Sequence, residues 1–254
     1  MRTNKKTTKM TLIIGAVVAM TAALASPLYA ESAEQIVEKL EENRIHETVK
    51  VEGKMIIEDR FGRKVSSFIS YGRGAEESLI EFTSKAEQGQ KILRTEDEIY
   101  LYYPDAEEII RMQGAALRES VLGSDFSYED MTGEKSLLDS FTPKLLGTET
   151  VNGHDCYKVE LEAKSRNVPY PKEIIWVDRE MNVGRRVHKF SLSGKLLKEM
   201  DVLEIEQIKG KQIPVHMKMV DTMKKNSSTE IIFEDIQINI NLDPSLFSLE
   251  ELTW

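Results

Sequence analysis

The stretch "GSDFSYEDM", Gly123 to Met131, concentrates three acids, two aromatics and two serines in nine residues. Asp125, Glu129 and Asp130 are the residue types that bind metals or act as general acids and bases. Their spacing argues for a different role. Glu129 and Asp130 are adjacent, whereas Asp125 belongs to the preceding loop. Ser127 followed three residues later by Asp130 fits the Ser-x-x-Asp pattern that opens a helix, and acids in a first turn suit the positive end of the helix dipole. Phe126 and Met131 stand at the two positions of a hydrophobic staple. The helix start is the stronger reading, and Gly133 predicts that the helix is short.

Elsewhere the residues that could do chemistry are sparse. Cys156 is the only cysteine, and a nucleophilic thiol needs a base beside it. His154 shares its strand face, but side chains at i and i+2 stand roughly 7 Å apart along a strand, so a structural or idle thiol is expected. His46, His154, His188 and His216 share no metal-ligand spacing. There is no Gly-x-Ser-x-Gly elbow, Walker loop or Gly-x-Gly-x-x-Gly, and "YGRGAEE" reads as a turn. The expectation is a protein that is not an enzyme, with no metal and no cofactor.

The elements that must position these residues are mostly strands. "ESAEQIVEKLEENR" sets Ala33, Ile36, Val37 and Leu40 at helical spacing behind a capping box of Ser32 and Gln35. After His46 the period becomes two: Val49, Val51, Met55 and Ile57 alternate with charged residues. The alternation continues through "KVSSFISYGRG", "ESLIEFTSK", "KILRTED", "EIYLYYPD" and "EEIIRMQG". It resumes in "CYKVELEAK", "KEIIWVD", "GRRVHKFSLSG", "KLLKEMDVLEIEQI", "QIPVHMKMVD" and "TEIIFEDIQINI". Short turns such as "VNGHD" favour antiparallel neighbours. The prediction is one meandering sheet of roughly eleven strands in a single domain. Where strands are apolar on both faces, as at Ile99, Leu101 and Tyr103 against Tyr100 and Tyr102, the N-terminal helix and the segment 113–140 are the candidates to cover the second face. Such a sheet accommodates either a filled core, the stronger reading on pattern alone, or an apolar hollow.

The first thirty residues differ from the rest. Arg2, Lys5, Lys6 and Lys9 precede the apolar run "MTLIIGAVVAMTAALA", a pattern that reads as a signal peptide ending at Ala30. Cleavage there leaves no cysteine for acylation, so an exported chain, 31–254, without lipid or permanent membrane anchor is expected. Those thirty residues hold four of the 34 Lys and Arg and none of the 43 acids, so the remainder carries a net charge of -13. An acidic chain of this kind is a poor partner for nucleic acid.

The run "IYLYYPDAEEIIRMQGAALRESVLGSDFSYEDM", followed by "LLGTETVNGHDCYKVELEAK", "EIIWVDRE", "SGKLLKEMDV" and "GKQIPVHMKMVD", resembles the LolA-like family of exported outer-membrane lipoprotein-sorting proteins. The resemblance runs from about Val49 to the final "LFSLEEL". It implies a mainly β fold, an unclosed antiparallel β-barrel of about eleven strands with helices over its concave side. It also implies a soluble periplasmic carrier or chaperone that holds lipid or lipoprotein acyl chains in an apolar hollow on the way to the outer membrane. The alternative is a non-enzymatic accessory module that binds an envelope protein or export pump. Candidate lining residues are Phe68, Phe82, Leu101, Tyr103, Trp176, Met217 and Met219. Gly123, Ser124, Asp125, Phe126, Ser127, Tyr128, Glu129 and Asp130 become the hinge between the sheet and its cover. No residue of the sequence can be matched to the arginine with which the lipoprotein carriers latch their lid.

Overall fold

The structure, a computed structural model, describes residues 31–95, 98–133, 136–165 and 168–253. The predicted signal peptide lies outside the described residues. Helix α1 (Ala33–Arg44) starts as its sequence dictates: Ser32 Oγ accepts from the Gln35 N–H (3.2 Å), and Gln35 Oε1 accepts from the Ser32 N–H (3.0 Å). Its buried residues are Ala33, Ile36, Val37 and Leu40.

Six strands follow: β1 (Thr48–Asp59), β2 (Gly62–Arg73), β3 (Glu77–Phe82), β4 (Lys91–Thr95), β5 (Glu98–Tyr103) and β6 (Glu108–Met112). Two short helices, α2 (Tyr128–Thr132) and α3 (Leu137–Ser140), interrupt the strands. Seven more complete the sheet: β7 (Phe141–Val151), β8 (His154–Ala163), β9 (Lys172–Asp178), β10 (Gly184–Phe190), β11 (Leu196–Ile208), β12 (Lys211–Asp221) and β13 (Ser228–Ile238). All thirteen belong to one antiparallel sheet in the order β6-β5-β4-β3-β2-β1-β13-β12-β11-β10-β9-β8-β7. The architecture is the predicted unclosed barrel, with thirteen strands rather than about eleven. The strand that alternation does not reveal is β7, an edge strand exposed from Leu145 through Thr150. An edge strand has little to bury, so no period marks it. Pro143, Lys144 and a bulge between Leu145 and Gly147 protect that edge from pairing with another chain.

The topology is two meanders, β1–β6 and β7–β13, joined side by side where β1 pairs β13. This pairing leaves β6 and β7 at opposite edges, so the segment 113–140 must cross the full width of the sheet. It crosses over the inner face, where two apolar clusters lie. One gathers Met55, Phe68, Phe82, Ile99, Leu101 and Met219 under Val121 and Phe126 of the crossing segment. The other gathers Val159, Leu161, Ile175, Val177 and Val187 under α1 and Leu137. Met200 touches both, which makes the inner face continuous. At the β1 bulge a Cβ on Gly53 would lie 2.8 Å from the Ile232 carbonyl oxygen and 3.1 Å from the Phe68 ring. Glycine there lets Phe68 pack edge-on against Phe233, 6.4 Å between centroids.

The second face is covered differently from expectation. Leu79, Leu93, Tyr100 and Tyr102 lie under Leu242, Leu246, Phe247 and Leu252 of the C-terminal segment, whereas α1 and 113–140 both lie on the inner face. The C-terminal residues form two 3-10 turns, Pro244–Phe247 and Glu251–Thr253, too short to show a helical period in the sequence.

Candidate functional site

The motif Gly123 to Asp130 lies at the middle of the crossing segment and carries its charged attachments. Gly123 has φ 82° and Leu122 φ 53°, a left-handed pair that reverses the chain before α2. Ser127 then caps α2 with both bonds of a capping box: its Oγ accepts from the Asp130 N–H (3.2 Å), and Asp130 Oδ2 accepts from the Ser127 N–H (2.9 Å). Phe126 and Met131 both pack into the inner cluster beside the helix. Gly133, at φ 82°, ends the helix after five residues.

Each of the three acids is bound to a different part of the sheet. Asp125 is fully buried. It accepts from Thr229 Oγ1 (2.8 Å) and Ser227 Oγ (2.9 Å) on one oxygen and from the Asp221 N–H (3.2 Å) on the other. Glu129 pairs with Arg94 of β4 at 2.6 Å, and Arg94 Nε donates to Thr132 Oγ1 (3.0 Å). Ser78 Oγ of β3 donates to the Thr132 carbonyl (3.0 Å). Asp130, its side chain 3% exposed, faces Lys198 at 2.8 Å and Lys189 at 3.1 Å, and Lys189 also faces Glu173 at 3.3 Å. Burial by itself raises the Asp130 carboxyl. The two lysines, with hydrogen bonds from Lys198 and Ser127, outweigh it and hold the group well below the usual carboxylate range. Tyr170 lies against both ammonium groups, 4.7 Å from Lys189 and 5.8 Å from Lys198. Burial, then the Asp130 charge, push its phenol up. Burial and Tyr103 likewise raise the Tyr128 phenol.

The three acids are held in separate fixed contacts, an arrangement that fastens the crossing segment to the sheet. Among the described residues no group of three or more His, Cys, Asp or Glu could hold a metal ion. Cys156 is fully buried, with its thiol pushed up by burial and then by Asp178, and its Sγ lies 3.5 Å from the His154 carbonyl oxygen. His154, His188 and His216 lie beside Asp178, Glu199 and Glu230, each on its own part of the sheet.

Of the seven candidate lining residues, Phe68, Phe82, Leu101 and Met219 are buried in the cluster beneath the crossing segment, and Tyr103 and Met217 pack against it. Trp176 does not join them. Alternation along β9 turns it to the outer face, with Val151 and Cys156, where its ring meets His188 at 4.7 Å. The attachments missed in the sequence have a legible signal: each is a charged residue at a core position of an alternating strand. Lys189 stands two residues from Val187, Glu173 two from Ile175, Lys198 two from Met200 and Arg94 two from Ile92.

Comparison with known proteins places this arrangement in context. A family model described as "-like: Uncharacterized protein" matches residues 74–254. A search of curated proteins finds no match. Among solved structures, a DUF1329 family protein from Desulfovibrio piger is similar at TM-score 0.81 and 22% identity, covering 88% of this chain and 100% of that one. A domain assigned as an outer membrane lipoprotein-sorting protein from Vibrio parahaemolyticus gives TM-score 0.79 at 20% identity, covering 87% and 100%. A LolA superfamily protein from Nitrosomonas europaea gives 0.75 at 23%, covering 87% and 100%. The chain belongs to the family whose model spans 74–254, and its fold is the LolA-like one.

Proposed function

We propose that this protein is a non-enzymatic carrier or chaperone of the bacterial envelope that takes up acyl chains of a lipid or lipoprotein between its inner sheet face and the crossing segment. The observation that carries the proposal is the attachment of that segment: an apolar cover held over an apolar face by a few discrete polar ties. The lipoprotein-sorting domain and the LolA superfamily protein, which share the fold, support the choice of cargo. Export through the residue 1–30 leader, to a periplasmic location, belongs to the same reading.

The magnitudes favour it. Each methylene moved from water into the cluster contributes about 0.8 kcal/mol, so a chain of a dozen or more gains on the order of 10 kcal/mol. Releasing the Arg94–Glu129 pair as a whole returns both charges to water, which offsets much of the lost attraction, so an acyl chain outweighs it. The Arg94, Ser78 and Thr132 contacts occupy the role of the latch that no sequence motif identified. Methionines Met55, Met112, Met131, Met200, Met217 and Met219 line or border the cluster, and their flexible side chains repack around a variable guest. Saturable uptake of a fluorescent fatty-acid probe, and lipid retained by the protein in native mass spectrometry, are the expected results. A protein isolated from its own periplasm that carries no lipid and takes up no probe overturns the carrier reading.

The tight packing of the same cluster favours a second reading, an accessory module for an envelope protein or export pump whose interior is filled by its own side chains. Co-purification of a protein partner without lipid is its expected signature.

A further inference from the structure

One end of the sheet carries a feature that neither the cover nor the inner face explains. The strand order β2-β1-β13-β12-β11-β10 makes the β1–β2, β12–β13 and β10–β11 turns consecutive along that end. Neighbouring turns in this set are two strands apart, about 10 Å. Their heights also match. Ile57 pairs with Thr229, Thr229 with Met219, Met219 with Met200 and Met200 with Val187, a level line across five strands. Phe61 stands four residues beyond Ile57, Met223 four beyond Met219 and Leu192 five beyond Val187. Among the described residues these are the three most exposed large apolar side chains: Leu192 91%, Phe61 82% and Met223 57%.

The turns hold these residues out by construction. Asp59 Oδ1 accepts from the Phe61 N–H (2.7 Å), and Asp221 Oδ1 accepts from the Met223 N–H (2.9 Å). Ser191 Oγ accepts from the Lys195 N–H (3.1 Å) in the Leu192 turn. Those two acids stand with four cations in the same turns, Arg60, Lys195, Lys224 and Lys225, with Glu58 preceding on β1 and Arg63 and Lys64 following on β2. Arg63 lies 3.6 Å from Glu58 and Lys64 2.7 Å from Glu87. Among the described residues, no acid pairs with Arg60, Lys195 or Lys225. In a chain of formal net charge -9, this is a local reversal of sign.

We propose that this end is a docking rim for an anionic lipid bilayer surface. A single exposed apolar residue needs no explanation. Three at one height, each flanked by cations, match a surface that is apolar just below a layer of negative headgroups. A protein partner fits less well, because a stable interface needs about 800 Å² of contiguous surface on each side, whereas isolated tips insert into a bilayer independently. Lys224 also donates to the carbonyls of Gly123 (3.0 Å) and Ser124, so the rim shares a side chain with the start of the cover motif.

The proposal concerns the protein's own surface and does not rest on the carrier reading. It is tested by co-sedimentation of the purified protein with phosphatidylcholine vesicles, with and without phosphatidylglycerol, at low and high salt. Binding to the anionic vesicles alone, weakened by salt, is expected. Phe61→Ser with Leu192→Ser, and separately Arg60→Glu with Lys225→Glu, should each lower that binding about tenfold or more. All four positions are exposed, so an unchanged melting temperature verifies folding. Equal binding to both vesicle types, binding to neither, or full binding by both double variants overturns the proposal, as does a protein that occupies the rim while vesicles do not. Probe uptake by these variants stays at the wild-type level whether that level is high or nil, so the rim and the carrier reading fail separately.

Discussion

Asp130 is the residue on which most of the cover's polar attachment converges. Removing its carboxylate takes away the charge that both buried lysines, Lys189 and Lys198, face. Asp130→Ala should therefore cost about 3–5 kcal/mol, read from urea unfolding. Because the folded group titrates below its unfolded value of about 3.9, its contribution is complete above pH 4 and is lost as acid carries the protein through the folded value. Wild-type stability should thus fall as pH drops below about 4, and Asp130→Asn should flatten that part of the profile. An unaltered acid slope in the variant would remove Asp130 from the account. At this scale the sequence was readable where the contact is local: the Ser127–Asp130 capping box forms as its spacing predicts. The lysines that neutralise Asp130 lie 59 and 68 residues further along the chain, and no local pattern assigns them to it.

Among the elements, α2 and the C-terminal turns do the most with the fewest residues. The Glu129 tie to Arg94 is one of the contacts holding α2 against β3 and β4. Glu129→Gln should speed hydrogen exchange over residues 121–132 by about tenfold or more while β8 to β12 exchange as before. A uniform acceleration would instead mean that the pair supports the whole fold. On the opposite face Phe247 is 4% exposed and packs with Leu79 and Leu93. Phe247→Ala should lower unfolding free energy by about 3–5 kcal/mol. A change below 1 kcal/mol would show that the tail contributes little. Elements with a buried face, such as α1 and β5, were evident from period alone. The edge strand β7 and the 3-10 turns were not, because an element that buries nothing, or is shorter than one period, leaves no repeat to detect.

The whole molecule behaves as one sheet because the β1–β13 pairing joins the two meanders and Met200 belongs to both inner clusters. Near- and far-ultraviolet circular dichroism should accordingly report one coincident unfolding transition, and separate transitions for the two halves would contradict that coupling. The sequence by itself determined the antiparallel β class, the capped first helix and the short capped helix at Ser127. These follow from periodicity and capping, which act over a few residues. Only the tertiary structure decided that β1 closes against β13, that the motif acids meet Arg94, Lys189 and Lys198, that Trp176 faces outward and that three distant turns share one rim. Each of those depends on strand order and register, set by contacts between segments far apart in the chain.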